Sequence, residues 1–453
     1  MASEKPTRLP PDNNMNAMLR SRIGSIMHLM SGSFAVAGIM ALSTVVAARA
    51  LGPEAYGVLA LVLTVGRICE RFIRFESWQS IIRFGTQEDV EENPQAMSEL
   101  FLLGLLLDIG CAWLATALML AGGYIALPYI GLDRSDFYLL VIFAPAIAFN
   151  ITGVPTAALR MADKFKLLAY FQLFSAGLRL TMAGIAWWLG APLYVFLAIW
   201  TVAQLINIAV FGLLAIRQLK DLGIPNPLSS GVRGLTGRFP GFMAFAWSTN
   251  ASSALRTLTT EADTLLVGAL AGPTPAGAYH ITKRFAKVAQ QVATHVQAVI
   301  YPDISRMWAR RRFADVRAVT VKVQLVLGGL ALGAIAVTAL IGEKGLDLLL
   351  GGEYDQVYPM LITQLIAVML IMFGAPVRST MLAMNRPHVI LIIAVLGTAV
   401  FFATAMAAIP MAGAIGANYA HIATAAVNLL FIEIFFRVGY KRHQSAVAQE
   451  PVR

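Results

Sequence analysis

The chain has 453 residues, of which 58% are hydrophobic and only 13% charged, and its formal net charge is +10. Soluble domains run near 45–50% apolar and about 25% charged, so these proportions exclude an ordinary water-soluble globular protein. Apolar runs of about 20 residues recur along the chain and mark a polytopic α-helical membrane protein, while the lack of long β-type alternation argues against a barrel.

The positive balance is read as Lys and Arg retained on the cytoplasmic side, with no nucleic-acid partner. Cys69 and Cys111 both sit in apolar segments without disulfide or metal spacing, and are expected to be reduced packing residues. A polar tail precedes the first apolar segment, which has no small-residue cleavage site and is therefore expected to be a transmembrane helix.

In chain order, twelve spans are predicted at about 24–48, 57–82, 98–121, 137–160, 166–189, 193–216, 240–264, 277–301, 319–341, 358–382, 389–409 and 412–436. Loop charge tests that count. With the N-terminus inside, the cytoplasmic segments hold 23 Lys and Arg against 3 outside, namely Arg49, Arg134 and Lys344. This bias predicts both termini in the cytoplasm. The Gly-, Pro- and Ser-rich stretch at 217–239 lies midway and predicts a boundary between two lobes, 23–216 and 240–436, with cytoplasmic tails at 1–22 and 437–453. A repeat supports it: Gly52-Pro53 and Gly272-Pro273 lie 220 positions apart, as do Tyr138 and Tyr358. The expected fold is all-α, with 12 transmembrane helices in two six-helix lobes around a central cleft.

The second span carries Arg67, Glu70, Arg71 and Arg74 in its middle, within about 100° of one another on a helix. A charge at the bilayer centre costs roughly 2.5–3.5 kcal/mol on insertion scales, so the stripe is expected to face water, a partner or a ligand. Glu70 reaches Arg74 and Arg67 at helical spacing, yet one Glu does not neutralise three Arg. The surplus suits an anionic, phosphate-bearing substrate, because arginine binds phosphate bidentately. The eighth span, its repeat partner, places His280, Lys283, Arg284, Lys287, Gln290, Gln291, Thr294 and Gln297 over roughly 140° of one face.

Asp108 in the third span either pairs with an arginine of the second or titrates in ion coupling; Glu70 either organises its arginines or carries a coupling proton. Arg179, Arg256 and Arg378 line the cleft or lie near an interface, and Glu261 and Asp263 are placed at the outer end of the seventh span. Asn150 and Pro155 in the fourth span, and Gly374 and Pro376 in the tenth, predict interruptions at equivalent places. The run Arg310-Arg311-Arg312 is read as a topology determinant. No nucleotide-binding loop, metal cluster or catalytic triad arrangement is present, so no cofactor or metal is expected.

With these residues in view, the chain resembles a polysaccharide (O-antigen type) flippase of the multidrug/oligosaccharidyl-lipid/polysaccharide exporter superfamily. The resemblance covers about residues 23–436. It rests on Arg49-Ala-Leu-Gly-Pro-Glu-Ala-Tyr-Gly, on Asp263-Thr-Leu-Leu-Val-Gly-Ala-Leu-Ala-Gly-Pro with Gly277-Ala-Tyr279 following, and on Leu350-Gly-Gly-Glu-Tyr354. It implies a V-shaped cleft, alternating access, and transfer of undecaprenyl-pyrophosphate-linked oligosaccharide from the cytoplasmic to the periplasmic leaflet of a bacterial inner membrane, for O-antigen, lipopolysaccharide or exopolysaccharide assembly.

The resemblance also implies a pyrophosphate site, matched here by Arg67, Arg71, Arg74, Lys283 and Lys287. Membrane lipids, and polymerase and chain-length proteins of the same pathway, are the further candidate partners. The first span lacks the acidic residue that many drug exporters of the superfamily use for ion coupling. The rival readings are a drug/ion antiporter of the same architecture and a membrane-embedded glycan polymerase or glycosyltransferase.

Overall fold

The computed structural model describes residues 15–232 and 234–448, with side chains from residue 32 to 440 apart from 88, 89, 233, 249, 251–259 and 387. Every regular element among the described residues is helical. Spans one and two form a single run, α1 (Met15–Ile73), which kinks at Gly52, and the second span continues as α2 (Ser77–Gly85). After a short turn of helix, α3 (Glu88–Glu91), the third span is α4 (Pro94–Ala126). The fourth is divided into α5 (Phe137–Ala148) and α6 (Gly153–Met161). α7 (Phe165–Trp188) and α8 (Leu193–Asp221) complete the first six. A short helix, α9 (Leu235–Arg238), precedes the second set: α10 (Phe242–Ala271), α11 (Pro273–Ala309), α12 (Phe313–Leu350), α13 (Val357–Ala383), α14 (Pro387–Ala412) and α15 (Ile415–Ala448).

These are twelve transmembrane helices in two six-helix lobes about a central cleft. Eight segments are long and apolar enough to cross a membrane by length and composition, and the first of them, 32–85, holds spans one and two. The remaining spans are α7, α10 and α11. The last two carry the charged residues of the seam between the lobes. Large apolar side chains face outward: Leu340 is 82% exposed and Trp113 57%. In water such a surface would be an aggregation liability; against lipid chains it is the expected exterior.

The two lobes repeat one plan. Pro94 and Phe313, Phe137 and Val357, Phe165 and Pro387, and Leu193 and Ile415 open equivalent helices, 219 to 222 positions apart. The packing repeats too: α4 on α5 as α12 on α13, α5 on α8 as α13 on α15, and α1 on α7 as α10 on α14. Both lobes turn their first corner in the same way. Gly52 has φ 72° and ψ 173°, and Gly272 has φ 94° and ψ 175°. A Cβ is strained at such positive φ values, and the following Pro53 and Pro273 start a helix without losing an intrahelical donor.

These corners meet. A Cβ on Gly57 would lie 2.1 Å from the Pro273 carbonyl oxygen, and one on Gly277 would lie 2.9 Å from Gly57 Cα. Nearby, buried Tyr354 donates to the Ala48 carbonyl at 2.9 Å, and Arg49 donates to the Leu348 carbonyl at 3.2 Å. The Leu350-Gly-Gly-Glu-Tyr354 turn of one lobe is thus fastened to the first corner of the other. At the opposite end α2 meets α10, with Phe84 and Phe242 ring centroids 5.6 Å apart and Phe75 and Trp247 also 5.6 Å apart.

The segment between α8 and α10 lies on the first lobe. Ser230 is 2.8 Å from Ser98 and accepts from Gln95 at 3.4 Å, while Arg238 pairs with Glu99.

Two expectations need correction. The second span is not continuous: it breaks after Ile73, and the Phe72 carbonyl, free of its helical partner, accepts from Asn250 at 3.2 Å. The fourth and tenth spans are not interrupted alike. The fourth breaks before Gly153, whose amide and that of Val154 donate to Asp108 Oδ2 at 3.0 and 3.1 Å. The tenth, α13, runs through Gly374 and Pro376 unbroken. The position 220 before Gly328 holds Asp108, so the second lobe has a glycine where the first has its capping carboxylate. The α4 start is capped by Asn93 Oδ1, which accepts from the amides of Gln95 and Ala96 at 3.0 and 3.1 Å.

Candidate functional site

The seam between the lobes is formed by the second arm of α1 against α10 and α11. Arg67 crosses it. Its Nε lies 3.1 Å from Glu261 Oε2 on α10, and its Nη2 donates to Thr64 Oγ1 at 2.8 Å. The same Nη2 is 3.4 Å from His280 Nε2, and Tyr56 Oη is 2.8 Å from His280 Nδ1. A guanidinium only donates, so Nε2 is the acceptor and the imidazole carries its proton on Nδ1, which it gives to the Tyr56 oxygen.

A second cluster belongs wholly to the second lobe. Asp263 is completely buried. Its Oδ1 accepts from Lys283 Nζ at 2.6 Å and from the Thr264 amide at 2.6 Å; its Oδ2 accepts from Tyr279 Oη at 2.8 Å and His421 Nε2 at 2.9 Å. Lys283 also donates to the Thr260 carbonyl at 2.6 Å. A buried carboxylate survives only when its lone pairs are filled in this way.

A third group lies in the first lobe. Glu70 Oε1 accepts from Arg74 Nη1 and from Asn150 Nδ2, both at 2.6 Å. Asn150 sits at the break between α5 and α6, so the stripe of the second span and the interruption of the fourth are fastened together.

The structure therefore divides the predicted set. Arg67, Arg74 and Lys283 each have a carboxylate partner. Arg71 and Lys287 are exposed and Arg284 is half-buried, and none of the three has an ion pair among the described residues. Arg284 lines a small cavity of about 20 Å³ together with Arg179, Tyr56 and His280. Arg179 donates to Gln204 at 3.3 Å. Gln290, Gln291 and Gln297 lie half-buried along α11, and Gln291 Oε1 is buried without a hydrogen-bond partner. Asp108 is the cap of α6 and, among the described residues, has no ion pair with an arginine. The side chain of Arg256 lies outside the described residues, and Arg378 is engaged.

The cavity volume is enough for a water molecule and far too small for a pyrophosphate. At this cavity the two lobes meet around Arg179 and Arg284, while Arg71 and Lys287 stay exposed. What the arrangement offers chemically is a surplus of guanidinium and ammonium groups, held beside a seam that, among the described residues, one carboxylate crosses, Glu261. Among the described residues no group of three or more His, Cys, Asp or Glu is arranged to hold a metal.

Sequence reasoning placed Glu261 and Asp263 toward the outer end of the seventh span and assigned them no partners; the structure pairs them with Arg67 and Lys283. The same reasoning assigned no role to His421 in the last span or to Tyr279, one helical turn before Lys283. The available signal was that α10 and α11 carry buried charges of opposite sign.

The profile of a family described as "Polysaccharide biosynthesis protein" matches residues 46–359. The inner membrane protein YghQ of Escherichia coli (strain K12) is 27% identical over 331 residues, covering 72% of this chain and 91% of that protein. Among solved structures, the lipid II flippase MurJ in an inward closed conformation superposes with a TM-score of 0.72 at 13% identity, covering 90% of this chain and 87% of MurJ. A multidrug resistance MATE family transporter of the MOP superfamily, inward-facing, superposes with a TM-score of 0.71 at 14% identity, covering 92% and 96%. At such identities the structural likeness establishes the fold. The family match spans more than two thirds of the sequence, and this multi-span membrane protein belongs to the polysaccharide biosynthesis protein family.

Proposed function

We propose that the protein is a flippase that moves undecaprenyl-pyrophosphate-linked oligosaccharide between the leaflets of a bacterial inner membrane by alternating access. The observation that carries this reading is the trio Arg71, Arg284 and Lys287, cations without an ion pair beside the seam of a protein in a polysaccharide biosynthesis family. Cations at membrane depth are retained for a ligand or partner of opposite sign. Guanidinium groups match the fork of a phosphate. The amides Gln290, Gln291 and Gln297 then meet sugar hydroxyls while the lipid chain stays in the bilayer. Both termini lie in the cytoplasm on this reading, the lobes are 23–216 and 240–436, and a polymerase and a chain-length protein act on the product.

The contacts across the seam suit a moving interface. The Arg67–Glu261 pair crosses between the lobes and is about a quarter exposed on each side, so it is a contact that lobe separation breaks, whereas the buried Asp263 cluster ties helices of one lobe and travels with it. Opening the seam frees Arg67 to join the trio. Glu70 and Asp108 were the candidates for ion coupling; the two amides on Asp108 favour a structural role for it.

The test is complementation of a deletion strain. Arg71→Ala combined with Arg284→Ala is expected to lower surface polysaccharide by at least about tenfold at unchanged protein level. Wild-type polysaccharide from that variant would remove the site assignment. Drug sensitivity of the deletion strain without any glycan defect would replace the reading with that of an antiporter.

A further inference from the structure

A groove of about 920 Å³ opens on the second lobe, between α12, α13 and α15, away from the seam. Its depth is apolar, lined by Phe373 and Leu429 among others, and its mouth carries Arg317, Arg437 and Tyr440. Arg317 is one turn from the start of α12 at Phe313, and Arg437 is 22 residues from the start of α15 at Ile415. At 1.5 Å per residue that is about 33 Å, the hydrocarbon thickness of a bilayer. Both guanidiniums thus stand at headgroup level, on the face that holds the segment between the lobes.

The charges at the mouth do not cancel. Glu433 accepts from Gln324 Nε2 at 2.6 Å and lies 3.6 Å from Arg437 Nε. Arg437 is nevertheless 77% exposed, and Arg317 lies 5.9 Å from the Tyr440 ring and has no ion pair among the described residues. Two guanidiniums face one carboxylate that is already held by an amide. The first lobe treats the matching place differently. Ser98, four residues after Pro94 as Arg317 is after Phe313, is covered by Ser230 of the inter-lobe segment.

We propose that the groove binds an anionic glycerophospholipid of the surrounding bilayer, with its phosphate between Arg317 and Arg437 and an acyl chain along Phe373 and Leu429. The volume lies in the usual range of small-ligand sites, about 300–1,000 Å³. Basic pockets between transmembrane helices recognise anionic headgroups in this manner. An apolar partner helix would fill the depth but leave the guanidiniums without a counter-charge. Glu433 sits one turn deeper than Arg437 on α15 and repels the phosphate from going further, which sets its depth.

The experiment is native mass spectrometry of the purified full chain from nanodiscs of dioleoyl phosphatidylglycerol or dioleoyl phosphatidylcholine. The wild type is expected to retain phosphatidylglycerol at least about tenfold over phosphatidylcholine. Arg317→Gln with Arg437→Gln should abolish that preference at an unchanged thermal midpoint. Leu429→Trp, which fills the groove, should lower retention of both lipids. Equal retention by the wild type, or a preference surviving in the double variant, overturns the proposal. Displacement of phosphatidylglycerol by inorganic phosphate alone would identify a free-anion site and overturn it too, as would a dimer lost in the double variant. None of these outcomes bears on glycan export, so the proposal stands apart from the flippase reading.

Discussion

The first lobe breaks two of its helices where the second lobe runs straight, although the two share one order of helices and one set of packing partners. In the first, α1 gives way to α2 at residues 74–76 and α5 to α6 at 149–152. In the second, α11 and α13 pass the equivalent levels without interruption. The difference lies in a few polar side chains. Asp108 caps one broken end from a neighbouring helix and Asn150 ties the other to Glu70. The equivalent positions in the second lobe, 220 residues later, are Gly328 and Leu370.

The second lobe spends its polar groups elsewhere, in one cluster around Asp263. Shared topology therefore follows from the repeat of apolar runs. Local geometry follows from which backbone amides and carbonyls find a side chain when the helix lets them go.

The comparison breaks most visibly at Asp263. Asp263→Leu leaves Lys283 within the protein without its carboxylate, and it should cost about 3–5 kcal/mol of stability. Asp263→Leu with Lys283→Met should recover much of that loss. Thermal unfolding in detergent reads both, and a double variant no more stable than the single would mean that the pair is not the unit described. In the first lobe, Asp108→Leu strands the two amides that open α6 and should cost about 2–3 kcal/mol. A variant as stable as the wild type would show that the break in the fourth span does not need its cap.

The smallest effect is expected at Glu70. Its pair with Arg74 is partly exposed, 28% and 14% on the two sides, so Glu70→Gln should cost less than about 1 kcal/mol. Glu70 holds Arg74 and Asn150, and if it only organises them, transport by Glu70→Gln keeps the pH profile of the wild type. A shifted profile would make Glu70 the coupling group and leave the two lobes less alike in function than in form.

Much of this was legible in residue order. The kinks at Gly52 and Gly272 follow from Gly-Pro steps, and the conformation of each glycine could be anticipated because only glycine tolerates it. Glu70 and Arg74 stand four apart and meet as helical spacing requires. The partner of Arg67 was not legible, since Glu261 lies 194 positions away and no local rule connects them. The partners of Asp263 were not legible for the same reason: they come from α10, α11 and α15.

What the amino-acid order determined by itself was the solvent and the plan: a membrane protein of twelve helices, repeated at an offset near 220, with a surplus of positive charge in the second and eighth spans. Apolar content and helical period are properties of short windows, and a bilayer enforces them because lipid offers no partner to an unsatisfied backbone group. Only the tertiary structure decided which cations keep a carboxylate and which do not, where helices break, and which face stays open to lipid. Those outcomes depend on side chains reaching across helices far apart in the chain, and the energy of each contact exists only once the helices are packed.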